Sequence, residues 1–323
     1  MTAPTIADIE DAAARLKGQA HRTPLIETTS ASPKYSRIFL KTETEQRTGS
    51  FKFRGAYNRI SRVDDAAKAA GVTAYSSGNH AQAVACVAKL LGIPAVIVMP
   101  EDAPAKKLNA TKRFGAEVIT YNRWTESRED IAHLVAKKRG MTIIPPFDDP
   151  LIIAGQGTVG LEIADDMKAQ GLKPDLLLVP ASGGGLVSGC AIAIKDRFPD
   201  CRVFSVEPEN FDDIARSLAA GKRVSNAPNA ENSICDALLV PAPGAITFPI
   251  MQELLEGGLT VSDDTVRNAM HHAWKNETLT LEPGGAVALA ALLEEAAPAA
   301  KIVVAVCSGG NVDDALFRAV TGK

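Results

Sequence analysis

The stretch of sequence that decides the fold runs from residue 176 to residue 186 and reads LLLVPASGGGL. Its first part is a short apolar run, typical of a strand buried in a parallel sheet. A loop rich in glycine follows, and then a helical segment. The same order occurs where SSGNH (76–80) and CSGGN (307–311) follow apolar runs. Three such units predict an α/β fold whose ligand-binding loops gather beyond the carboxyl ends of parallel strands.

Further strands and helices are predicted on both sides of these units. The expected strands lie at residues 37–41, 72–75, 95–99, 117–121, 141–144, 175–179, 202–206 and 301–307. The expected helices lie at residues 81–91, 152–170 and 186–198. Their alternation predicts parallel sheets covered by helices. The length suggests two domains, and we expect a small domain at 71–147 and a large domain formed by 1–70 and 148–323.

The bulk composition narrows the class of protein. Of the 323 residues, 46% are hydrophobic, and the formal net charge is -3, so no basic surface for nucleic acid is indicated. No apolar run approaches the roughly 20 residues of a membrane span, and the N-terminus does not resemble a secretory signal. The cysteines are scattered without a close pair, at Cys86, Cys190, Cys201, Cys235 and Cys307. We therefore expect reduced thiols and a cytoplasmic protein without membrane or nucleic-acid partners.

The segment TGSFKFRGA (48–56) contains the candidate nucleophile, Lys52. Lys52 lies between two phenylalanines and follows Ser50, which we expect to be a helix N-cap. An apolar setting and a helix N-terminus both lower the pKa of a lysine, and a neutral amine is the form that attacks an aldehyde. The alternative is an ordinary solvated lysine, which is the usual role of this residue type.

The loop Ser182–Leu186 is the best candidate for a phosphate site. The consecutive glycines Gly183, Gly184 and Gly185 allow an anion to approach the backbone, and the helix behind them adds positive potential. A dinucleotide site would instead need G-x-G-x-x-G, and an ATP site would need G-x-x-x-x-G-K-[ST]. Neither pattern fits these loops, which disfavours nicotinamide and ATP.

The motifs TGSFKFRGA, SSGNH, SGGGL and CSGGN, in that order, resemble those of the fold-type II pyridoxal 5′-phosphate (PLP) enzymes. Within that group, the chain is similar to the serine/threonine dehydratase and serine racemase family, which includes 3-hydroxyaspartate dehydratases. The resemblance extends from Arg22 to Asn311. It implies a two-domain fold like that of the tryptophan synthase β-subunit, with twisted parallel or mixed sheets covered by helices, a cofactor in the interdomain cleft, and a homodimer.

The resemblance also assigns roles around the cofactor. It implies that Lys52 is joined covalently to PLP and later removes the α-proton of the substrate. Phe51 is implied to lie beside the ring, the alternative being simple core packing. Asn79 is implied to donate to the phenolic oxygen, Ser182–Leu186 to hold the phosphate, and Ser308 to face the pyridine nitrogen.

The expected reaction follows from Ser308. A serine hydroxyl cannot keep the pyridine nitrogen protonated as an aspartate would, which favours prompt loss of a β-substituent. The implied function is therefore an ammonia-lyase that eliminates the β-hydroxyl of a small hydroxy amino acid to give a keto acid and ammonia. Ala237 stands where many dehydratases have glycine, so threonine, serine and 3-hydroxyaspartate all stay open as substrates. An amino acid racemase is the alternative function, and a non-catalytic PLP-binding protein or a nucleotide-dependent oxidoreductase is a more distant one.

The substrate contacts are implied by the same resemblance. Ser76, Ser77, Asn79 and His80 are expected to bind the α-carboxylate, and Ser77 is the acid/base of racemase-type relatives. Ser77 could instead only cap the following helix. Arg128 matches an arginine near the substrate pocket and would suit a second carboxylate; the alternative is an exposed helix charge paired locally.

The segment EPENFDD (207–213) resembles a divalent cation site of the same family, which implies Glu207, the Phe211 carbonyl and Asp213 as ligands. Two carboxylates and a backbone carbonyl supply hard oxygen ligands that suit Mg²⁺, with Ca²⁺ or Mn²⁺ as alternatives. The competing interpretation is that Asn210 caps a helix whose dipole is favoured by Asp212 and Asp213.

Overall fold

The computed structural model describes residues 2–28, 34–103, 105–227 and 230–323. Ten strands are described: β1 (Leu25–Thr28), β2 (Tyr35–Thr42), β3 (Val72–Tyr75), β4 (Ala95–Pro100), β5 (Glu117–Tyr121), β6 (Thr142–Ile143), β7 (Leu176–Pro180), β8 (Arg202–Pro208), β9 (Gly257–Val261) and β10 (Ala300–Cys307). Thirteen α-helices are described: α1 (Ile6–Leu16), α2 (Lys52–Ile60), α3 (Asp65–Lys68), α4 (Asn79–Leu91), α5 (Ala105–Arg113), α6 (Arg128–Arg139), α7 (Pro150–Ala169), α8 (Gly185–Arg197), α9 (Asp213–Ala220), α10 (Thr247–Leu254), α11 (Asp263–Glu277), α12 (Pro283–Leu293) and α13 (Asp314–Thr321).

The larger sheet has six strands in the order β1-β2-β10-β7-β8-β9. All its neighbouring strands pair in parallel except β1 and β2, which are antiparallel. Alternate residues of the central strands face different cores: Leu176 and Leu178 of β7 pack into one, whereas Leu177 and Val179 pack into the other. The near-continuous apolar runs follow from this burial on both faces. The predicted α/β class is therefore confirmed.

The smaller sheet has four parallel strands in the order β5-β4-β3-β6. All four come from residues 72–143, inside the segment predicted to form the small domain. Its core also includes Phe53 and Ile60 of α2, so the helix that begins with Lys52 packs against both parts of the molecule. The exact division into domains stays a prediction.

Most of the predicted elements match observed ones. The helix predicted at 81–91 extends over Asn79–Leu91 and ends at Gly92, whose φ of 66° is the left-handed conformation of a glycine C-cap. Helix α7 begins at Pro150, because the Asp149 carboxylate accepts from the backbone N–H groups of Leu151 and Ile152. Two strands were not predicted, β1 and β9, and both lie at edges of the larger sheet.

Helix α7 packs against α2 and α8 through glycines. A Cβ on Gly155 would lie 2.6 Å from the Cα of Gly55, and one on Gly160 would lie 2.7 Å from the Cα of Cys190. A Cβ on Gly157 would lie 2.9 Å from the carbonyl oxygen of Gly189. Backbone therefore meets backbone between these helices, since no side chain fits between them.

A buried polar network lies beneath α2. The Arg54 guanidinium, whose side chain is 1% exposed, donates to Glu43 at 2.8 Å and to Glu162 at 2.7 Å. The buried ammonium of Lys41 also donates to Glu162, at 2.7 Å, and to the Thr23 carbonyl. Each buried charge thus has a partner, as buried charges need.

Two further findings concern the helices and the cysteines. No helix in the described ranges is both long enough and apolar enough to cross a membrane. The five cysteines predicted to be reduced are all free thiols, four of them buried and Cys86 partly exposed.

Candidate active site

The loops that follow β3, β7 and β10 line one cavity of about 290 Å³. Parallel strands bring their carboxyl ends to one edge, which explains why three distant loops meet there. The cavity brings together the residues predicted to hold cofactor and substrate: Phe51, Lys52, Ser76, Ser77, Asn79, His80, Arg128, Ser182, Gly183, Gly184, Gly185, Leu186 and Ser308. Their meeting is observed, whereas their individual roles stay predictions.

Lys52 is the first residue of α2, and its amine lies inside the cavity wall. The Nζ atom donates to the carbonyl oxygen of Pro146 at 2.8 Å and lies 5.2 Å from the centroid of the Phe51 ring. Burial lowers the pKa of Lys52 to about 8, although the Glu282 carboxylate opposes the shift. A substantial fraction of this amine is therefore neutral near pH 8, as attack on an aldehyde requires.

The prediction that Ser50 caps this helix is wrong. The N-cap is Phe51, and no side chain caps the helix. Ser50 is extended instead and forms a β-bridge with Gly309. The Phe51 N–H donates to the Ser308 carbonyl at 3.1 Å. The lysine segment is thus held against the CSGGN loop by backbone pairing, which the cap pattern did not reveal.

The glycine loop has the shape of an anion cradle. Gly184 has a φ of 93°, and α8 begins directly after it, so the first N–H groups of α8 have no partner within the helix. A Cβ on Gly183 would lie 2.4 Å from the Phe147 ring, and one on Gly184 would lie 2.7 Å from Met251. Only glycine fits at these two positions. The Ser182 hydroxyl accepts from the Val240 N–H at 3.2 Å, which ties the loop to the wall of the cavity.

A chain of polar contacts crosses the cavity behind Asn79. The Asn79 amide donates to Glu282 at 2.5 Å and accepts from Asn311 at 2.7 Å. Burial raises the pKa of Glu282 to about 7, against the hydrogen bond from Asn79. Sequence reasoning missed Glu282, although an acidic residue directly before Pro283 at a helix start was a usable signal.

The serine loop and His80 lie at the start of α4. Its N-cap is Gly78 without a side-chain cap, so Ser77 does not cap the helix, and the Ser76 hydroxyl accepts from the Gly78 N–H at 3.2 Å. The Nε2 atom of His80 donates to the Ile144 carbonyl at 2.9 Å, and its Nδ1 atom is buried without a partner. Burial, together with the charge of Lys52, lowers the pKa of His80 to about 3. The ring is therefore neutral and has a free acceptor.

Three cations lie at the mouth of the cavity, and each faces an acid. Lys107 of α5 forms an ion pair with Asp236, which belongs to the 3₁₀ turn Asp236–Leu238. Arg123 pairs with Asp102 at 2.7 Å. Arg128 lies 3.8 Å from Glu129 and 5.8 Å from the Tyr75 ring centroid, and its side chain is 40% exposed. Both interpretations of Arg128 thus hold in part, because it lines the cavity and also has a local partner.

The candidate cation residues lie apart from this cavity. The Glu207 carboxylate accepts from the N–H groups of Ile214 and Ala215, at 3.0 and 2.8 Å. One oxygen of Asp213 accepts from Asn226 at 2.7 Å, and the other is buried without a partner. Burial and the charge of Asp213 raise the pKa of Glu207 well above its ordinary value, and burial raises the pKa of Asp213 to about 7.

These findings leave the cation a prediction. No group of three or more His, Cys, Asp or Glu side chains that could hold a metal ion occurs in the described part of the chain. The predicted set contains only two such side chains, with the Phe211 carbonyl as a third ligand. The competing interpretation, a cap by Asn210, is not observed, since the N-cap of α9 is Asp212 and no side chain of the N-cap bonds the helix.

A buried, partly neutral amine and an anion cradle line one cavity, and this combination is typical of an α/β enzyme that binds a phosphorylated carbonyl cofactor. Comparison with known proteins supports the same class of enzyme. The sequence profile of the family described as "Pyridoxal-phosphate dependent enzyme" matches residues 16–309, and the chain belongs to that family.

Relatives cover nearly the whole chain. It is 42% identical to the L-threo-3-hydroxyaspartate ammonia-lyase of Saccharomyces cerevisiae over 97% of this chain and 95% of that protein. It is 39% identical to the serine racemase of Schizosaccharomyces pombe over 96% and 95%. The structure of a maize serine racemase superposes with a TM-score of 0.92 at 38% identity, covering 99% of this chain and 98% of that one. A crystal structure of a threonine deaminase superposes with a TM-score of 0.90 at 39% identity, covering 96% and 99%. The fold-type II resemblance is therefore confirmed.

The cavity fits PLP on its own geometry. The glycine loop leads directly into α8, whose first N–H groups have no partner within the helix and suit a phosphate. Lys52 presents the amine for an aldehyde, and Ser308 lines the same cavity. The donors, the acceptors and the space thus suit one ligand with a phosphate at one end and an aldehyde near Lys52.

Proposed function

We propose that this protein is a PLP-dependent dehydratase, or ammonia-lyase, that removes the β-hydroxyl of a small hydroxy amino acid to yield a keto acid and ammonia. The observation that carries the proposal is the shared cavity of Lys52, the Ser182–Leu186 cradle and the serine loop at the start of α4. The names of the relatives, which include an ammonia-lyase and a threonine deaminase, support the same reaction class.

Lys52, the start of α4 and Ser308 have different roles in the proposed reaction. Bound PLP supplies an electron-withdrawing ring that stabilises negative charge at the substrate α-carbon. The Nζ atom of Lys52, whose pKa burial lowers to about 8, takes up the α-proton in its neutral form. Backbone N–H groups at the start of α4 bind the α-carboxylate, since a helix N-terminus favours an anion. The Ser308 hydroxyl stays neutral beside the ring, which favours rapid loss of the β-hydroxyl over a long-lived carbanion.

The substrate we propose is 3-hydroxyaspartate, with threonine and serine as poorer substrates. Of the three cations at the cavity mouth, Lys107 and Arg123 already pair closely with Asp236 and Asp102. Arg128 lies 3.8 Å from its acidic neighbour and is the cation best placed to bind a second carboxylate. The relative named for L-threo-3-hydroxyaspartate supports this choice. A charge-assisted hydrogen bond to Arg128 would discriminate the dicarboxylate from threonine.

The test is a substrate panel scored for keto acid and ammonia with purified, PLP-loaded protein. Arg128→Gln should raise the KM for 3-hydroxyaspartate about tenfold and that for threonine less than about twofold. Arg139 lies at the other end of α6 in an exposed pair with Glu117, so Arg139→Gln is the matched control and should change neither value. Lack of turnover on every hydroxy amino acid would refute the dehydratase itself, whereas equal effects of Arg128→Gln on both substrates would refute only the dicarboxylate.

A racemase is a second candidate, favoured by the free side chain of Ser77. Ser77 lines the cavity and does not cap α4, so its hydroxyl can serve as a proton donor on the face opposite Lys52. Incubation of L-serine, assayed for D-serine and pyruvate, separates the two reactions. Ser77→Ala should reduce D-serine formation about 100-fold and leave pyruvate formation within about fivefold. If wild-type protein yields no D-serine, the racemase is excluded.

We also propose that Glu207, Asp213 and the Phe211 carbonyl bind Mg²⁺ or another divalent cation with a structural role. One buried oxygen of Asp213 has no hydrogen-bond partner, and the pKa values of both carboxylates are raised. Both observations support the binding of a cation between the two carboxylates. Addition of MgCl₂ should raise the melting temperature of wild-type protein by a few degrees. Asp213→Asn should abolish the shift, while Glu209→Gln, which changes an exposed neighbouring carboxylate, should retain it. A wild-type melting temperature that ignores Mg²⁺, Ca²⁺ and Mn²⁺ alike would exclude the site.

We propose a cytoplasmic homodimer, as the resemblance to the dehydratase and racemase family implies. The free thiols of the described cysteines support a reducing compartment. Light scattering after size-exclusion chromatography should give twice the chain mass of 34.0 kDa. A mass that equals one chain over the working concentration range would exclude the dimer.

A further inference from the structure

We propose that Glu282 is a positioning residue that fixes the orientation of the Asn79 side-chain amide and so aims one of its N–H groups at the cofactor. The inference deepens the proposed function, because it rests on the proposed contact between Asn79 and the phenolic oxygen of PLP. Its first support is location: Glu282 lines the cavity, is 5% exposed, and directly precedes α12.

The hydrogen bonds around Asn79 run in one direction. The Asn311 amide donates to the Thr48 carbonyl and to the Asn79 carbonyl oxygen, at 2.7 Å each. The Asn79 nitrogen then donates to the Glu282 carboxylate at 2.5 Å. Above its pKa of about 7, the Glu282 carboxylate is ionised and can only accept, so it selects the nitrogen side of Asn79. The donation from Asn311 to the Asn79 oxygen favours the same orientation. A flip would place oxygen against oxygen at Glu282 and nitrogen against nitrogen at Asn311.

This arrangement leaves one donor for a ligand. The Asn79 nitrogen has two N–H groups, and Glu282 accepts one of them. The other is free for an acceptor within the cavity, which Asn79 lines. The phenolic oxygen of PLP is such an acceptor, and an amide held in one orientation loses little entropy when it binds.

The packing of Glu282 keeps the carboxylate in place. Its backbone N–H donates to the Gly309 carbonyl at 3.1 Å. A Cβ on Gly309 would lie 2.1 Å from the Glu282 carboxylate, so this glycine of the CSGGN loop makes room for the acid. The motif that contains Ser308 and Asn311 is thereby also the surface against which Glu282 rests.

The experiment measures the dissociation constant of PLP from cofactor-free protein, followed by the visible absorption of the bound cofactor. Glu282→Met keeps the size of the side chain and removes the acceptor, so it should weaken PLP binding about tenfold. Glu282→Gln keeps an acceptor oxygen and should stay within about threefold of wild type. Glu294→Gln, at the exposed opposite end of α12, is the control and should bind PLP like wild type.

A double-mutant cycle shows whether Glu282 acts through Asn79. Asn79→Ala should itself weaken PLP binding, and Glu282→Met should add less than about twofold in that background. Effects that multiply, or a Glu282→Gln variant as impaired as Glu282→Met, would overturn the inference.

Two further outcomes are possible: Asn79→Ala could bind PLP normally, or Glu282→Met could fail to fold. If Asn79→Ala binds PLP normally, the proposed cofactor contact fails, and the inference fails with it. If circular dichroism shows that Glu282→Met does not fold, Asn311→Ser tests the opposite end of the chain of hydrogen bonds. It should weaken PLP binding in wild type and not in Asn79→Ala, and an unchanged affinity of Asn311→Ser would then refute the orientation role.

Discussion

The inner and outer ends of the cavity are built in different ways. At the inner end, the cradle Ser182–Leu186 and the pair Asn79–Glu282 are held by backbone geometry and by buried hydrogen bonds. At the outer end, the pairs Lys107–Asp236 and Arg123–Asp102 each join a long basic side chain to an aspartate and stay partly exposed. The inner end therefore suits one fixed ligand, whereas the outer end can accept different substrate side chains at small cost.

The energetics of charges differ in the same way. An exposed ion pair contributes about 0–1 kcal/mol, because water competes for both partners and salt screens them. Loss of one partner from a buried pair leaves an uncompensated charge and costs about 3–5 kcal/mol. Changes at the inner end and beneath α2 should accordingly have large effects, whereas changes to the ion pairs Lys107–Asp236 and Arg123–Asp102 should have small ones.

The largest effect is expected at Lys52. Lys52→Ala removes the amine that joins the cofactor and takes up the α-proton, so keto acid formation should fall at least about 10³-fold. Borohydride reduction of wild-type holoenzyme, followed by peptide mapping, should place the cofactor label on residue 52. A label on another lysine, or a Lys52→Ala variant of normal activity, would contradict the assignment.

The next effect concerns the network beneath α2. Arg54→Met leaves the buried carboxylates of Glu43 and Glu162 without their main partner and should lower the free energy of unfolding by about 3–5 kcal/mol. Urea unfolding at pH 7 measures it. Arg139→Met breaks an exposed pair and should leave the unfolding midpoint unchanged. If both variants unfold at the wild-type midpoint, burial does not determine the energetic cost of losing an ion-pair partner.

The pH dependence of cofactor attachment tests the setting of Lys52. The amine must be neutral to react, so the rate of PLP attachment to cofactor-free protein should rise about tenfold per pH unit below the pKa. Because the folded pKa is about 8, the rate should level off above that pH. Stopped-flow absorbance between pH 6 and pH 10 gives the profile. A plateau reached only near pH 10 would indicate a solvated lysine.

The smallest effect is expected for the ion pair Lys107–Asp236 at the mouth. Asp236→Asn and Lys107→Gln each break the pair that joins α5 to the turn Asp236–Leu238, and each should change KM values by no more than about threefold, with kcat unchanged. The matched control is Lys112→Gln, which lies on the exposed surface of α5. A loss of activity comparable to that of Lys52→Ala would show that the mouth is as tightly constrained as the inner end.

Sequence predicted the inner end better than the outer end, for a physical reason. A strand followed by a glycine loop and a helix is a local pattern, and the strand of LLLVP and its helix form where that pattern placed them. Lys107 and Asp236 lie 129 residues apart, and only the tertiary fold brings them together. Edge strand β9 begins with two glycines and is partly exposed, so it lacks the buried apolar run that marks other strands. Ser50 had the composition of a cap, but pairing with Gly309 took precedence.

The glycine contacts of α7 with α2 and α8 have a consequence for heat and pressure. Helix α2 begins at the reactive amine, and α8 begins at the anion cradle, so α7 acts as the spacer between the two chemical ends of the site. Side chains between helices can change rotamer and absorb a shift, but peptide units in direct contact have almost no such slack. Thermal expansion or compression of the surrounding protein should therefore leave the distance between the Lys52 amine and the Ser182–Leu186 loop nearly constant.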